Sequence, residues 1–135
     1  MTYQDLRDVR KFEPNTHITN PTKGSRIPNI PYLLANAGLE YHKENLFGGK
    51  GQNTRIFTDG SFVEEYFYDF EQSRFQERRI PRTFSANIGI EHSFMNGRFI
   101  ISARMNNLTD TRMMSEFNRP LPGRNWGVRL RYVLK

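Results

Sequence analysis

From Leu33 the chain alternates. One parity carries Leu33, Ala35, Ala37, Leu39 and Tyr41; the other carries Leu34, Asn36, Gly38, Glu40 and His42. The pattern returns at Thr83, where Phe84, Ala86, Ile88, Ile90, His92 and Phe94 oppose Thr83, Ser85, Asn87, Gly89, Glu91 and Ser93. From Arg98, Phe99, Ile101, Ala103 and Met105 oppose Arg98, Ile100, Ser102, Arg104 and Asn106. In the last segment Trp126, Val128, Leu130, Tyr132 and Leu134 oppose Asn125, Gly127, Arg129, Arg131 and Val133. The four apolar parities contain no Asp, Glu, Lys or Arg, in a chain that is 25% charged. Random placement gives that at about 0.3%. A period of two means strands, because successive side chains of an extended chain point to opposite faces.

No long window carries a 3.6-residue stripe, so helices are not expected. Glycine, proline and Asn/Asp clusters break the chain at Glu13–Pro31, Phe47–Gln52, Asp69–Pro81, Asn96-Gly97 and Thr111–Gly123. The segments between them are roughly ten residues long, the length of a tilted barrel strand. Thr54–Tyr68 is out of phase: Phe57, Val63 and Phe67 share a parity with Arg55, Asp59 and Glu65. A bulge near Gly60 is expected to reset it. Met1–Phe12 shows no alternation.

One hairpin can be aligned from sequence. Asn96-Gly97 is a two-residue turn signal, because both residues tolerate positive φ. With Met95 facing Arg98, the pairs are Phe94–Phe99, His92–Ile101, Ile90–Ala103 and Ile88–Met105, all on the apolar face. Ser93–Ile100, Glu91–Ser102, Gly89–Arg104 and Asn87–Asn106 fall on the other face. Turn and faces agree independently. Glu91 and Arg104 become diagonal neighbours, within reach of an ion pair.

The apolar face has two candidate environments. A soluble β-sandwich binding module, carbohydrate-binding through Trp126, Tyr66 and Tyr68, has one apolar and one polar face. A transmembrane barrel has them too, with lipid outside and water inside. Three features favour the barrel: an Arg-, Glu-, Asn- and Ser-rich polar face, aromatics near strand ends (Phe94, Phe99, Tyr132), and connections that alternate short and long. Hydrophobic residues make up only 36% of the 135, with aromatics at 13%. That suits a barrel, where only alternate residues meet lipid.

Several stretches carry a family likeness. Arg26-Ile-Pro-Asn-Ile-Pro-Tyr32 and Ile80-Pro-Arg-Thr-Phe84 each precede a strand. Ala103-Arg-Met-Asn-Asn-Leu-Thr-Asp110, Pro120-Leu-Pro-Gly-Arg124 and Gly127-Val-Arg-Leu-Arg-Tyr132 follow. In this order, over about Gly24 to Lys135, the chain resembles the C-terminal end of a TonB-dependent outer-membrane receptor. The resemblance implies an all-β chain of about five to six antiparallel up-and-down strands, the C-terminal part of a transmembrane β-barrel in the bacterial cell outer membrane. It implies import of a scarce nutrient of the siderophore, vitamin or glycan class. The implied partners are outer-membrane lipid and lipopolysaccharide, the rest of the barrel and its plug, and a TonB-type energy-coupling protein reached through an N-terminal part outside this sequence. Six strands are too few to close a pore, since the smallest barrels use about eight, so the chain is expected to be part of a larger barrel. One departure is the ending Tyr132-Val-Leu-Lys135, where the family commonly ends in an aromatic.

The search for chemistry finds little. Cysteine is absent, which removes thiolate sites. His17, His42 and His92 occur singly, without metal-ligand spacing, and His92 is read as interfacial packing. Gly48-Gly49-Lys50-Gly51 lacks the spacing of a phosphate loop. Glu64 and Glu65 alternate, so the acidic cluster they form with Asp69 and Glu71 is read as a solvated strand end. Tyr66-Phe67-Tyr68 is read as an aromatic girdle. No enzyme, cofactor or metal is expected. The net charge is +6, and Arg74, Arg78, Arg79 and Arg82 cluster around Phe75. In a barrel these loop cations meet lipopolysaccharide or an anionic ligand, and no nucleic-acid partner is expected. The candidate binding residues are on the polar face: Glu91, Arg104, Asn106, Arg129 and Arg131.

Overall fold

The computed structural model describes residues 1–70, 78–116 and 118–134. It is all-β and antiparallel, without helix among the described residues. Long strands form where the alternation is long: β2 (Leu33–Glu44), β3 (Asn53–Val63), β6 (Thr83–Phe94), β7 (Phe99–Asn106) and β10 (Asn125–Tyr132). Short strands fill the connections: β1 (Thr2–Tyr3), β4 (Tyr66–Phe67), β5 (Arg79–Ile80), β8 (Met114–Glu116) and β9 (Arg119–Pro120). One sheet has the order β1-β2-β3-β6-β7-β10; β4-β5 and β8-β9 are separate two-stranded ladders. Among the described residues the large sheet has β1 and β10 at its ends, with no pairing between them that closes a barrel.

The hairpin register read from sequence is the observed one. Ile88↔Met105, Gly89↔Arg104, Ile90↔Ala103, Glu91↔Ser102, His92↔Ile101, Ser93↔Ile100 and Phe94↔Phe99 are Cα partners. β10 continues both faces: Trp126, Val128, Leu130 and Tyr132 stand opposite Met105, Ala103, Ile101 and Phe99. The turn itself differs from expectation. It takes four residues, from Met95 to Arg98, with Gly97 N–H donating to Phe94 and Arg98 N–H to Met95. Met95, Asn96 and Gly97 all have positive φ, at 53°, 54° and 81°. Met95–Arg98 is therefore turn and not the last strand pair.

Up to Gly60, β3 keeps a single phase. Thr54 bonds His92, Asp59 bonds Asn87, and Gly60 lies against Phe84, all in one phase. Phe57 stays on the polar face with Arg55 and Asp59, an aromatic among charges.

The chain divides into two compact units. One comprises Met1–Ala35, Phe62–Thr83 and Met113–Leu121. Within it, the N-terminal segment folds back on itself through bridges Arg7↔Arg26 and Phe12↔Thr19. The hub is Asp8, which is buried and accepts from Arg10, Asn20 and Thr22. The other unit comprises Asn36–Ser61, Phe84–Arg112 and Pro122–Lys135 and holds most of the long strands. Among the described residues Ile80 alone, at 2% exposure, is a buried large apolar side chain.

Candidate functional site

The polar face of the long strands collects charge because alternation sends every second side chain there. Arg55 on β3 pairs with Glu40 on β2 at 2.7 Å. Arg104 on β7 reaches past β6 to Asp59 on β3 at 3.4 Å. The Asp59 carboxylate also accepts from the Asn87 amide. Between these pairs stands Phe57, whose ring centre lies 5.2 Å from the Arg55 guanidinium and 5.7 Å from that of Arg104. Both are cation–π distances. The expected Glu91–Arg104 ion pair is replaced by Arg104–Asp59: the Phe57 ring over Gly89 offers Arg104 a surface that leads towards Asp59.

A cleft of about 400 Å³ opens on this face, and its lining includes Arg55, Phe57, Glu91, Arg104, Asn106 and Arg129. Four of the five sequence-derived candidates thus come together: Glu91, Arg104, Asn106 and Arg129. Asn106 donates to Asn125 Oδ1 at 2.9 Å, which joins β7 to β10 across the face. Arg131 shares the parity but lies outside this lining, opposite Ile100 and nearer the short turn. Arg129 and Arg131 carry no ion pair among the described residues. Sequence reading missed Arg55, Phe57 and Asp59 because their segment was taken as out of phase. Their common odd parity was the signal: it marks a polar face that holds one aromatic.

On the opposite face, the ends of the strands near the short turns carry aromatics. Phe94 and Phe99 rings stand 6.0 Å apart, and Tyr132 is the next partner of Phe99. His92 packs edge-on against Phe94 and Phe47, at 4.3 and 5.2 Å, while its Nδ1 shares a hydrogen bond with Thr54 Oγ1 at 2.8 Å. Among the described residues no three His, Asp or Glu stand together as a metal site. Glu64 and Glu65 separate as alternation requires, pairing with Arg82 at 3.1 Å and Arg79 at 2.7 Å. Tyr66 and Phe67 sit in β4, paired with β5. Arg78 pairs with Asp69 at 3.0 Å; Glu71, Arg74 and Phe75 lie outside the described residues.

The motif Asn107-Leu-Thr-Asp110 acquires a physical meaning. Asn107 is buried, its N–H donates to Asn87 Oδ1, and its amide bonds the backbone of Thr111 in both directions. Asp110 accepts the N–H of Arg124 at the entry to β10. Together they turn the chain out of β7 and guide it into β10. Comparison of the chain with protein-family models, with curated proteins and with solved structures gives no match.

Proposed function

We propose that this chain is the C-terminal part of a transmembrane β-barrel in the bacterial outer membrane, belonging to a TonB-dependent receptor that binds and imports a scarce nutrient. The observation that carries the reading is the uncovered apolar face. Leu39, Trp126 and Leu130 are 78%, 75% and 65% exposed, and they share a face with exposed Ile56, Ile88, Ile90 and Val128. A contiguous apolar face of this size needs a covering. A sandwich would supply a second sheet, yet the other ladders have two strands each. Lipid supplies the covering without any protein layer, and the charged opposite face then borders water.

The nutrient class and the energy-coupling partner come from the sequence resemblance. The polar cleft supports a role for Glu91, Arg104, Asn106 and Arg129 in contacting a plug or a polar solute. Among the described residues no strand pairs with the outer edge of β10, which fits continuation of the sheet by further strands.

Trp126 is the sole tryptophan and stands on the apolar face, so it is a built-in depth probe. The chain, refolded into phosphatidylcholine vesicles, is expected to show strong quenching of Trp126 by lipids brominated along the acyl chain. Glu91→Gln should leave that quenching unchanged, while Ile88→Arg should reduce it. Wild-type emission insensitive to the brominated lipid would sink the membrane reading.

A further inference from the structure

Three side chains stand in one row across the polar face. Glu91 on β6 is the Cα partner of Ser102 on β7, and Ser102 is the Cα partner of Arg129 on β10. Alternation turns all three to the same side, and all three line the cleft of about 400 Å³. Glu91 and Ser102 are half-buried and Arg129 is exposed, so solvent reaches each of them. None of the three side chains makes a hydrogen bond or ion pair among the described residues.

The charges around the row are already paired. Arg55 feels the charge of Glu91, yet its guanidinium donates to Glu40 at 2.7 Å. Arg104 pairs with Asp59 at 3.4 Å. Each of these pairs is neutral as a whole. What remains is one negative charge at Glu91, one positive charge at Arg129 and a hydroxyl between them. An ion of either single sign leaves one of the two uncompensated. A molecule that carries both signs compensates both.

Strand spacing sets the size of that molecule. Neighbouring strands lie about 4.8 Å apart, so two spacings separate Glu91 from Arg129 by about 10 Å. Two charge-assisted hydrogen bonds of about 2.8 Å each then leave about 4 Å between upright side-chain heads, the ammonium-to-carboxylate span of a small amino acid. Ser102, short and unbonded, leaves that space open.

We propose that the Glu91–Ser102–Arg129 row binds a small zwitterionic amino acid, its ammonium donating to Glu91 and its carboxylate accepting from Arg129. The site rests on the reading of this face as the one bordering water, and it adds a solute class to the cleft.

For the test the full chain is folded in uncharged maltoside micelles, because a phosphocholine headgroup carries both charges and would compete. Calorimetric titration with L-alanine is expected to show saturable binding in the millimolar range. L-alanine amide lacks the negative charge and N-acetyl-L-alanine lacks the positive one; each should bind about tenfold more weakly or worse. Glu91→Gln and Arg129→Gln should each weaken L-alanine by about tenfold. Lys43→Gln, on the opposite face, should not. Glu91→Arg combined with Arg129→Glu should bind L-alanine more tightly than either reversal alone, since a zwitterion can be turned end for end. The ligand series on the unmodified chain needs no variant. Absence of saturable L-alanine binding, or equal binding of either blocked form, overturns the proposal. Trp126 quenching by brominated lipid, read in parallel, keeps the two readings apart. Quenching without L-alanine binding overturns this site alone, and L-alanine binding without quenching overturns the membrane reading alone.

Discussion

The Phe57 ring lies against Gly89 so closely that a β-carbon at residue 89 would collide with three ring carbons. Gly89 is thereby the seat of the ring on which Arg55 and Arg104 stack. Gly89→Val is expected to expel Phe57 and destabilise the chain by about 1–3 kcal/mol, as overpacking does. Phe57→Ala added to Gly89→Val should recover part of that loss, since the two residues compete for one space. Chemical denaturation of the two single variants and the double variant reads the coupling. Additive losses would show that ring and glycine do not share the site.

That contact was hidden in the sequence, whereas the register beside it was legible. Phe94↔Phe99 through Ile88↔Met105 could be aligned because a turn signal and two facing patterns constrain one another. Slipping by one residue would bury arginine on the apolar face, so alternatives are costly. Phe57 defeated the same logic, because an aromatic on a charged face looks like a phase error. Of its stabilising partners, Gly89 and Arg104 lie on other strands and leave no local trace, and Arg55, two residues before it, is the charge that makes the parity look wrong. The partner of Arg104 was misassigned for the same reason: Asp59 is on β3, a strand whose phase had been misread. The β4–β5 and β8–β9 ladders pair only two or three residues each, too few for a period to register. The five polar-face candidates were found by parity alone; parity cannot say that Arg131 lies beyond the cleft.

Met95 has φ of 53°, a left-handed conformation that disfavours residues with a β-carbon, and its side chain is 67% exposed. Met95→Gly should relieve this strain and raise stability by about 0.5–1 kcal/mol, less whatever the added unfolded-state entropy costs. Met95→Val, β-branched, should do the opposite. Thermal unfolding of the two variants is expected to bracket the wild type; both falling below it would argue against a left-handed Met95.

Asn107 joins Asn87 to the backbone at Thr111 and is almost wholly shielded from water. Asn107→Ala leaves the Asn87 carbonyl partnered but strips the Thr111 N–H and carbonyl of their side-chain partners. The expected loss is about 1–3 kcal/mol, the usual cost of orphaned buried groups. Proteolysis should then cut first between 108 and 124, because the turn into that connection loses the two side-chain bonds that fix it at Thr111. Unchanged protection of this segment would show that Asn107 does not anchor it.

Asp8 makes the N-terminal fold-back sensitive to acid. The Arg10 side chain, then the Arg10 backbone N–H, and the Asn20 amide all stabilise its carboxylate, so its pKa lies far below the usual carboxylate value. Protonation is thus harder in the folded than in the unfolded chain. Below about pH 4, where the unfolded carboxylate takes up a proton, the unfolded state binds more protons and stability falls with falling pH. Above that range the contribution is fully present. The N–H of Arg10 donates to Asp8 Oδ1 at 3.0 Å and reports the state of the hub. Its hydrogen-exchange protection, corrected for intrinsic rates, is expected to decline from pH 5 to pH 2. Asp8→Asn should be less protected at pH 6 and show a flatter dependence below pH 4. A variant with the full wild-type slope would assign the acid sensitivity to other carboxylates, Asp5 first among them, since Arg7 and Arg26 also depress its pKa.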